Sequence, residues 1–182
     1  MKAFIFDCET TGLISNRKLK IEKQPHVIEF YGATFNLKKK EKPIGEINTF
    51  IKPPLPELVT PDITRITGIK YEEHLKDAKL FEEVADKIFA TIEKANVVIA
   101  HNLSFDKEMI EIEAERLNRK VKWPKHLLCT VEQTIHIKGF RMNLSGLHEY
   151  LFGEKFEGAH RAKVDVEALV RCCRELHKRG LL

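Results

Sequence analysis

Apolar residues in this chain fall first into strand-like runs and then into helical stripes. Lys2 to Asp7 reads as a buried strand, with His26 to Phe35 and Glu46 to Lys52 as two more. Between the last two lies Asn36-Leu37-Lys38-Lys39-Lys40-Glu41-Lys42-Pro43, with Gly45 close behind. That polar connection predicts an antiparallel hairpin with a long, solvated tip. Pro53-Pro54-Leu55-Pro56 breaks regular structure. From Pro61 to Gly68 one or two helical turns are expected, with Gly68 as the stop. Phe81, Val84, Ala85, Ile88, Phe89 and Ile92 then recur at helical spacing. Val97-Val98-Ile99-Ala100 is a short strand, apolar throughout, and Phe105, Met109, Ile110, Ile112, Ala114 and Leu117 mark another helix. His126 to Cys129 is expected as a fifth strand. Thr130 to Ile137 and Leu144 to Phe152 follow as helices, stopped by Gly139 and Gly153. Ala162, Val166, Leu169, Cys173 and Leu176 give the last helix its apolar stripe.

The hairpin implies antiparallel pairing, and the helical crossovers implied by the later order require parallel pairing. The expected fold is therefore α/β: a mixed five-stranded sheet flanked by helices, as one domain over residues 1–182. No internal repeat, low-complexity tract or domain linker interrupts it. A chain of 182 residues with 43% hydrophobic positions can build a core without staples. Its net charge of +4 permits nucleic-acid binding without requiring it. Cys8, Cys129, Cys172 and Cys173 form no CxxC pair, which points to a reduced cytoplasmic protein. No apolar run approaches the ~18 residues that a membrane span needs, and no signal-peptide pattern precedes the first strand.

Against that background four acids stand out, because carboxylates are seldom placed among apolar residues unless paired or bound to metal. Asp7 and Glu9 lie two apart on a strand and so share a face with Ile5. Two carboxylates on one face repel unless something positive lies between them. Asp106 follows the candidate helix caps Asn102 and Ser104. Met109, Ile110 and Leu117, three, four and eleven residues on, place it near the packed side of its helix. Asp165 leads Leu169, Cys172 and Leu176 at four, seven and eleven residues, in line with a core stripe. A buried ion pair with an arginine or lysine is the competing explanation for Asp165. His160, five residues before Asp165, would sit far from it around a helix axis, so it belongs in the preceding loop after Gly158 and Ala159. One cause common to all four acids is a divalent cation such as Mg²⁺ or Mn²⁺, which takes hard oxygen ligands.

Three segments now carry a specific resemblance: Phe6-Asp7-Cys8-Glu9-Thr10-Thr11-Gly12-Leu13, His101-Asn102-Leu103-Ser104-Phe105-Asp106 and His160-Arg161-Ala162-Lys163-Val164-Asp165. In that order, and with the five-residue offset between His160 and Asp165, they resemble the motifs of the DEDDh 3′→5′ exonucleases. The likeness is greatest to the DnaQ-like, epsilon-type proofreading branch and covers nearly the whole chain. It implies a ribonuclease H-like fold and two divalent cations, Mg²⁺ or Mn²⁺. Asp7 would bridge both ions, Glu9 and Asp165 would complete the first ion's shell, and Asp106 would reach the second through water. His160 would act as general base. Thr10 and neighbouring backbone groups would hold the 3′-terminal nucleotide, Leu13 would pack on a base, and Asn102 would contact the scissile region. His101 is either part of the site or structural.

The implied activity is release of nucleoside 5′-monophosphates from single-stranded or frayed DNA 3′ ends, in proofreading or repair, with a DNA polymerase as a possible partner. The alternatives are a 3′→5′ exoribonuclease acting on short RNA or tRNA ends and a non-catalytic nucleic-acid-binding polymerase accessory module. The chain departs from the family's usual residues at Lys163 and Val166, neither expected at the chemistry. The long tail by which replicative proofreading subunits hold their polymerase is not seen after Leu182, which counts against tight polymerase attachment.

Overall fold

A computed structural model describes residues 1–182. Five strands form one sheet in the order β3-β2-β1-β4-β5. They are β1 (Lys2–Thr10), β2 (Val27–Asn36), β3 (Glu46–Phe50), β4 (Val97–Ala100) and β5 (His126–Cys129). The hairpin half is antiparallel, and β4 and β5 join β1 in parallel. That is the mixed sheet expected from the chain order. Six α-helices complete it: α1 (Pro61–Thr67), α2 (Phe81–Lys94), α3 (Leu103–Arg116), α4 (Thr130–Lys138), α5 (Leu144–Phe152) and α6 (Ala162–Lys178). Gly139 and Gly153 close α4 and α5 in the left-handed conformation, at φ 80 and 78°, where a Cβ would be strained.

Alternation along β1 divides the core. Phe4, Phe6 and Cys8 face a cluster with α2 and α3, while Ala3 and Ile5 face Val166, Leu169 and Cys173 of α6. Asp7 and Glu9 extend the α6-facing row. The close strand–ring packing needs Gly32: a Cβ there would lie 2.5 Å from the Phe4 ring. A third cluster joins Leu147 and Leu151 of α5 to Cys172 and Leu176 of α6.

The central strand outlasts the run read as buried. That run ends at Asp7, and strand alternation carries the reading to Glu9; β1 runs to Thr10, paired along its length by β2. Three short turns also escape the periodicity: Ile21–Lys23 and Pro56–Leu58, both 3₁₀, and a π-helical turn at Tyr71–Leu75. Only Leu75 among their residues is buried, so they leave no apolar stripe to read.

Candidate active site

The site forms where β1 outruns its parallel neighbour. Register pairs Phe4 with Val98 and Ile5 with Ile99, and β4 stops at Ala100. Past that point the β4 side of β1 is open, and the starts of α3 and α6 close on it from opposite faces. Asp106, 3% exposed in the first turn of α3, accepts the Cys8 amide on Oδ1 at 3.0 Å. A side chain thus takes the hydrogen bond that a longer β4 would have made.

From the other face comes Asp165. Its Oδ2 accepts the His160 amide at 2.8 Å and the Arg161 amide at 3.1 Å, tying the preceding loop to α6. It makes no salt bridge, so the competing ion-pair account of this residue fails. Asp7, Glu9 and Asp165 can each offer a carboxylate oxygen such that the three lie within 4.8 Å of one another. Asp106 stands outside that triple but lines the same open cavity of about 440 Å³, together with His160, Thr10, Leu13, Asn102 and His101.

The electrostatics call for a cation. Burial, then the charges of Asp165 and Glu29, hold the Asp7 carboxyl well above its ordinary range. Burial, then Asp7, does the same to Asp106, against the Cys8 amide. Burial and the charges of Asp7, Asp165 and Glu29 push Glu9 to about 9, while Arg161 opposes them. Asp165 rises to about 6 through burial, countered by the two amides it accepts. Acids that cling to protons are short of positive charge, and an all-oxygen carboxylate set fits a hard divalent ion.

Sequence reasoning missed Glu29. It lies in β2 directly opposite Glu9, with its side chain 3% exposed. Like charges directly opposed across strands destabilise a sheet. Here Arg161 resolves the conflict: its Nε and Nη2 donate to Glu29 at 3.0–3.3 Å, and the Ala162 amide adds a bond at 3.0 Å. The ring of Phe50 lies under the same guanidinium, at 5.3 Å. The register then slips, so that Thr10 faces Val27. Such bulges re-aim side chains beside sites. The available signal was a carboxylate inside the apolar run Val27-Ile28-Glu29-Phe30-Tyr31.

The remaining predicted positions sort by contact. His160 is exposed, in a left-handed backbone at φ 68°, at the cavity wall. Leu13 is 82% exposed. The Thr10 hydroxyl donates to the Gly12 carbonyl at 2.8 Å, fixing the turn that presents Leu13. Asn102 occupies the N-cap position of α3 in a left-handed conformation, but its side chain caps nothing, and Ser104 lies inside the helix. Both therefore depart from the capping role read from sequence. His101 is structural in its bonding. Its Nε2 meets the Met142 carbonyl at 3.2 Å and its Nδ1 the Thr130 hydroxyl at 2.8 Å. Burial lowers its pKa to about 4, so the ring is neutral. Because the carbonyl can only accept, Nε2 carries the proton and Nδ1 accepts from Thr130.

The fold is of the ribonuclease H-like kind, with three clustered carboxylates, a fourth lining the same cavity and a histidine at its wall. The family model described as Exonuclease (RNase_T) matches residues 4–172, and the chain belongs to that family. Among similar proteins, DNA polymerase III PolC-type of Caldanaerobacter subterraneus subsp. tengcongensis is 34% identical over 90% of this chain, which spans 11% of that protein. DNA polymerase III subunit epsilon of Treponema pallidum is 28% identical over 94% of this chain and 72% of that one. The solved nuclease domain of 3′hExo, a DEDDh family member bound to rAMP, superposes with a TM-score of 0.79 at 16% identity, over 98% of this chain and 92% of that one.

Proposed function

We propose that this exonuclease acts on DNA 3′ ends in proofreading or repair, with two divalent cations, Mg²⁺ or Mn²⁺, held by Asp7, Glu9, Asp106 and Asp165. The observation that carries this reading is the 4.8 Å cluster of Asp7, Glu9 and Asp165, with Asp106 and His160 lining the same cavity. Bound divalent ions supply the positive charge that acidifies an attacking water and stabilises the departing 3′ oxygen.

The chain's own residues do the rest. The His160 ring takes a proton from the water as its oxygen attacks phosphorus, a task suited to an imidazole. The phosphorus–O3′ bond breaks, leaving a nucleoside 5′-monophosphate and a strand with a new 3′-hydroxyl. Asp165, through the His160 amide, keeps that loop at the site. Thr10 and adjacent backbone hold the terminal nucleotide, Leu13 packs against a base, and Asn102 meets the scissile region.

The choice of DNA rests on relatives named for DNA polymerase III. Their names also support a DNA polymerase as partner, either on a separate chain or on the same one. Four cysteines without a disulfide suit a reducing cytoplasm, and no helix is long and apolar enough to cross a membrane. The test is cleavage of a 5′-labelled single-stranded DNA oligomer with Mg²⁺, Mn²⁺ or EDTA, beside an RNA of the same sequence. A metal-dependent ladder from the 3′ end, faster on DNA, is expected. Faster turnover of RNA would replace the DNA assignment with the exoribonuclease one. Binding without cleavage would favour the accessory module.

A further inference from the structure

A cavity of about 710 Å³ lies away from the carboxylates. It opens between the tip of the β2–β3 hairpin and the C-terminal half of α6. Lys38, Lys39, Lys40, Arg171, Arg174 and Lys178 line it, against the single carboxylate of Glu175. Six cations against one acid exceed the net charge of +4 carried by the whole chain. Glu175 is itself already paired with Arg179 at 2.8 Å. Lys39 and Arg171 have acidic partners outside the cavity, Glu41 at 3.2 Å and Glu154 at 3.5 Å. Lys38, Lys40, Arg174 and Lys178 pair with no carboxylate.

Ordinary causes explain part of this. Lysines at a hairpin tip are usually solvated, and Lys178 at the end of α6 complements the helix dipole. Neither cause brings two distant segments together around one concavity. Nor does either explain Arg174, whose Nη2 donates to the Glu41 carbonyl at 3.2 Å while its buried Nε has no acceptor. Concave walls of one sign focus potential and concentrate counter-ions. The seam is concave further along as well. A second cavity of about 470 Å³, lined by Lys42, Glu46, Lys163 and Glu167, lies between the hairpin and the first half of α6.

We propose that this basic groove is a second contact for the sugar–phosphate backbone of the single strand whose 3′ end lies at the carboxylates. The inference rests on the exonuclease reading. Asp165 and Lys178 stand thirteen residues apart on α6, about 20 Å at a rise of ~1.5 Å per residue. Even at the compact duplex spacing of ~3.4 Å per nucleotide, that is at most about six nucleotides, and fewer for an extended single strand. A repeating anion of that length engages the groove and the site together, whereas a trinucleotide reaches only the site. The groove reads charge and length, with no base preference.

The experiment uses the full chain carrying Lys38→Glu, Lys40→Glu and Lys178→Glu, all exposed positions outside the site. Affinity for a fluorescein-labelled 20-nucleotide single-stranded DNA is measured in EDTA across a salt series. Turnover of the trinucleotide and of the 20-mer is measured with Mg²⁺. Expected are an affinity loss of about tenfold or more and a salt slope shallower by about two, at ~0.7 per lost phosphate contact. Trinucleotide turnover stays at the wild-type level. The glutamine triple variant gives a smaller loss in the same direction. Unchanged 20-mer affinity would overturn the groove, and so would an equal loss of turnover on the trinucleotide. A glutamate-rich peptide that binds wild type but not the variant, with DNA affinity unaltered, would assign the groove to an acidic protein segment and likewise overturn the proposal. A wild type that cleaves neither oligomer would end the exonuclease reading, while the EDTA affinities would still decide the groove.

Discussion

Asp106 holds the amide of Cys8, 98 residues earlier in the chain, at 3.0 Å. One oxygen of this acid is thereby committed to the backbone and the other left for chemistry. The two duties separate by mutation. Asp106→Asn can keep accepting the amide, so it should fold normally and lose most activity. Asp106→Ala orphans a buried N–H and should also lose about 1–3 kcal/mol of stability. Urea unfolding beside the cleavage assay checks both, and equal stability of the two variants would refute the assignment of the amide bond.

Asp7→Asn and Asp165→Asn should each lower kcat by about 10³-fold or more, the rate equivalent of several kcal/mol of charge stabilisation. Melting midpoints in EDTA should hold or rise, because like charges have been thinned. Near-wild-type turnover by either variant would refute the site.

Glu9 gives a pH dependence of definite sign. Its pKa rises from an ordinary 4.5 to about 9 on folding. The folded state therefore binds the proton more tightly. The resulting stability is complete below pH 4.5 and is lost as pH climbs towards 9. Buried His26 and His101, both lowered to about 4, act oppositely, but only below their ordinary value of 6.5. Between pH 7 and 8.5 metal-free protein should thus lose stability, Glu9→Gln should flatten the slope, and the midpoint gain from added Mg²⁺ should grow. Melting curves in EDTA and in Mg²⁺ across that range provide the check.

Most of the fold follows from periodicity, since β1, β2, β4 and the helices α2 and α6 each bury a continuous stripe. Asp7 and Glu9 were legible because strand alternation puts them on one face whatever packs there, and Asp165 because its stripe was apolar. Glu29 was not. Its significance comes from β-register, which sets it opposite Glu9, and from a loop 132 residues away that delivers Arg161. His101 was ambiguous for a similar reason, because its partners Thr130 and Met142 arrive through tertiary packing.

The Glu29–Arg161 pair positions the loop that carries His160. Glu29→Gln should lower kcat by about 10–100-fold, as outer-shell changes commonly do, with KM little altered. A stability loss of about 1–3 kcal/mol should accompany it. Arg161→Lys keeps the charge but loses the two-pronged geometry, so it should recover only part of the rate. His160→Ala should cost about 10²–10⁴-fold in kcat, with a smaller effect on substrate affinity. Steady-state kinetics separate the cases, and a KM effect matching the kcat loss would make Glu29 a substrate-binding residue.

Leu13→Ala should raise KM and leave the melting midpoint within about 0.5 kcal/mol of wild type, because an exposed side chain contributes little to stability. An unchanged KM would remove Leu13 from the substrate site.

The carboxylates come from β1, α3 and α6, so the first and last elements of the chain must meet before the site exists. During synthesis, a nascent chain that has emerged through β5 holds a folded-looking sheet and three of the four acids, but not Asp165 or His160. Nuclease activity is therefore deferred until α6 docks.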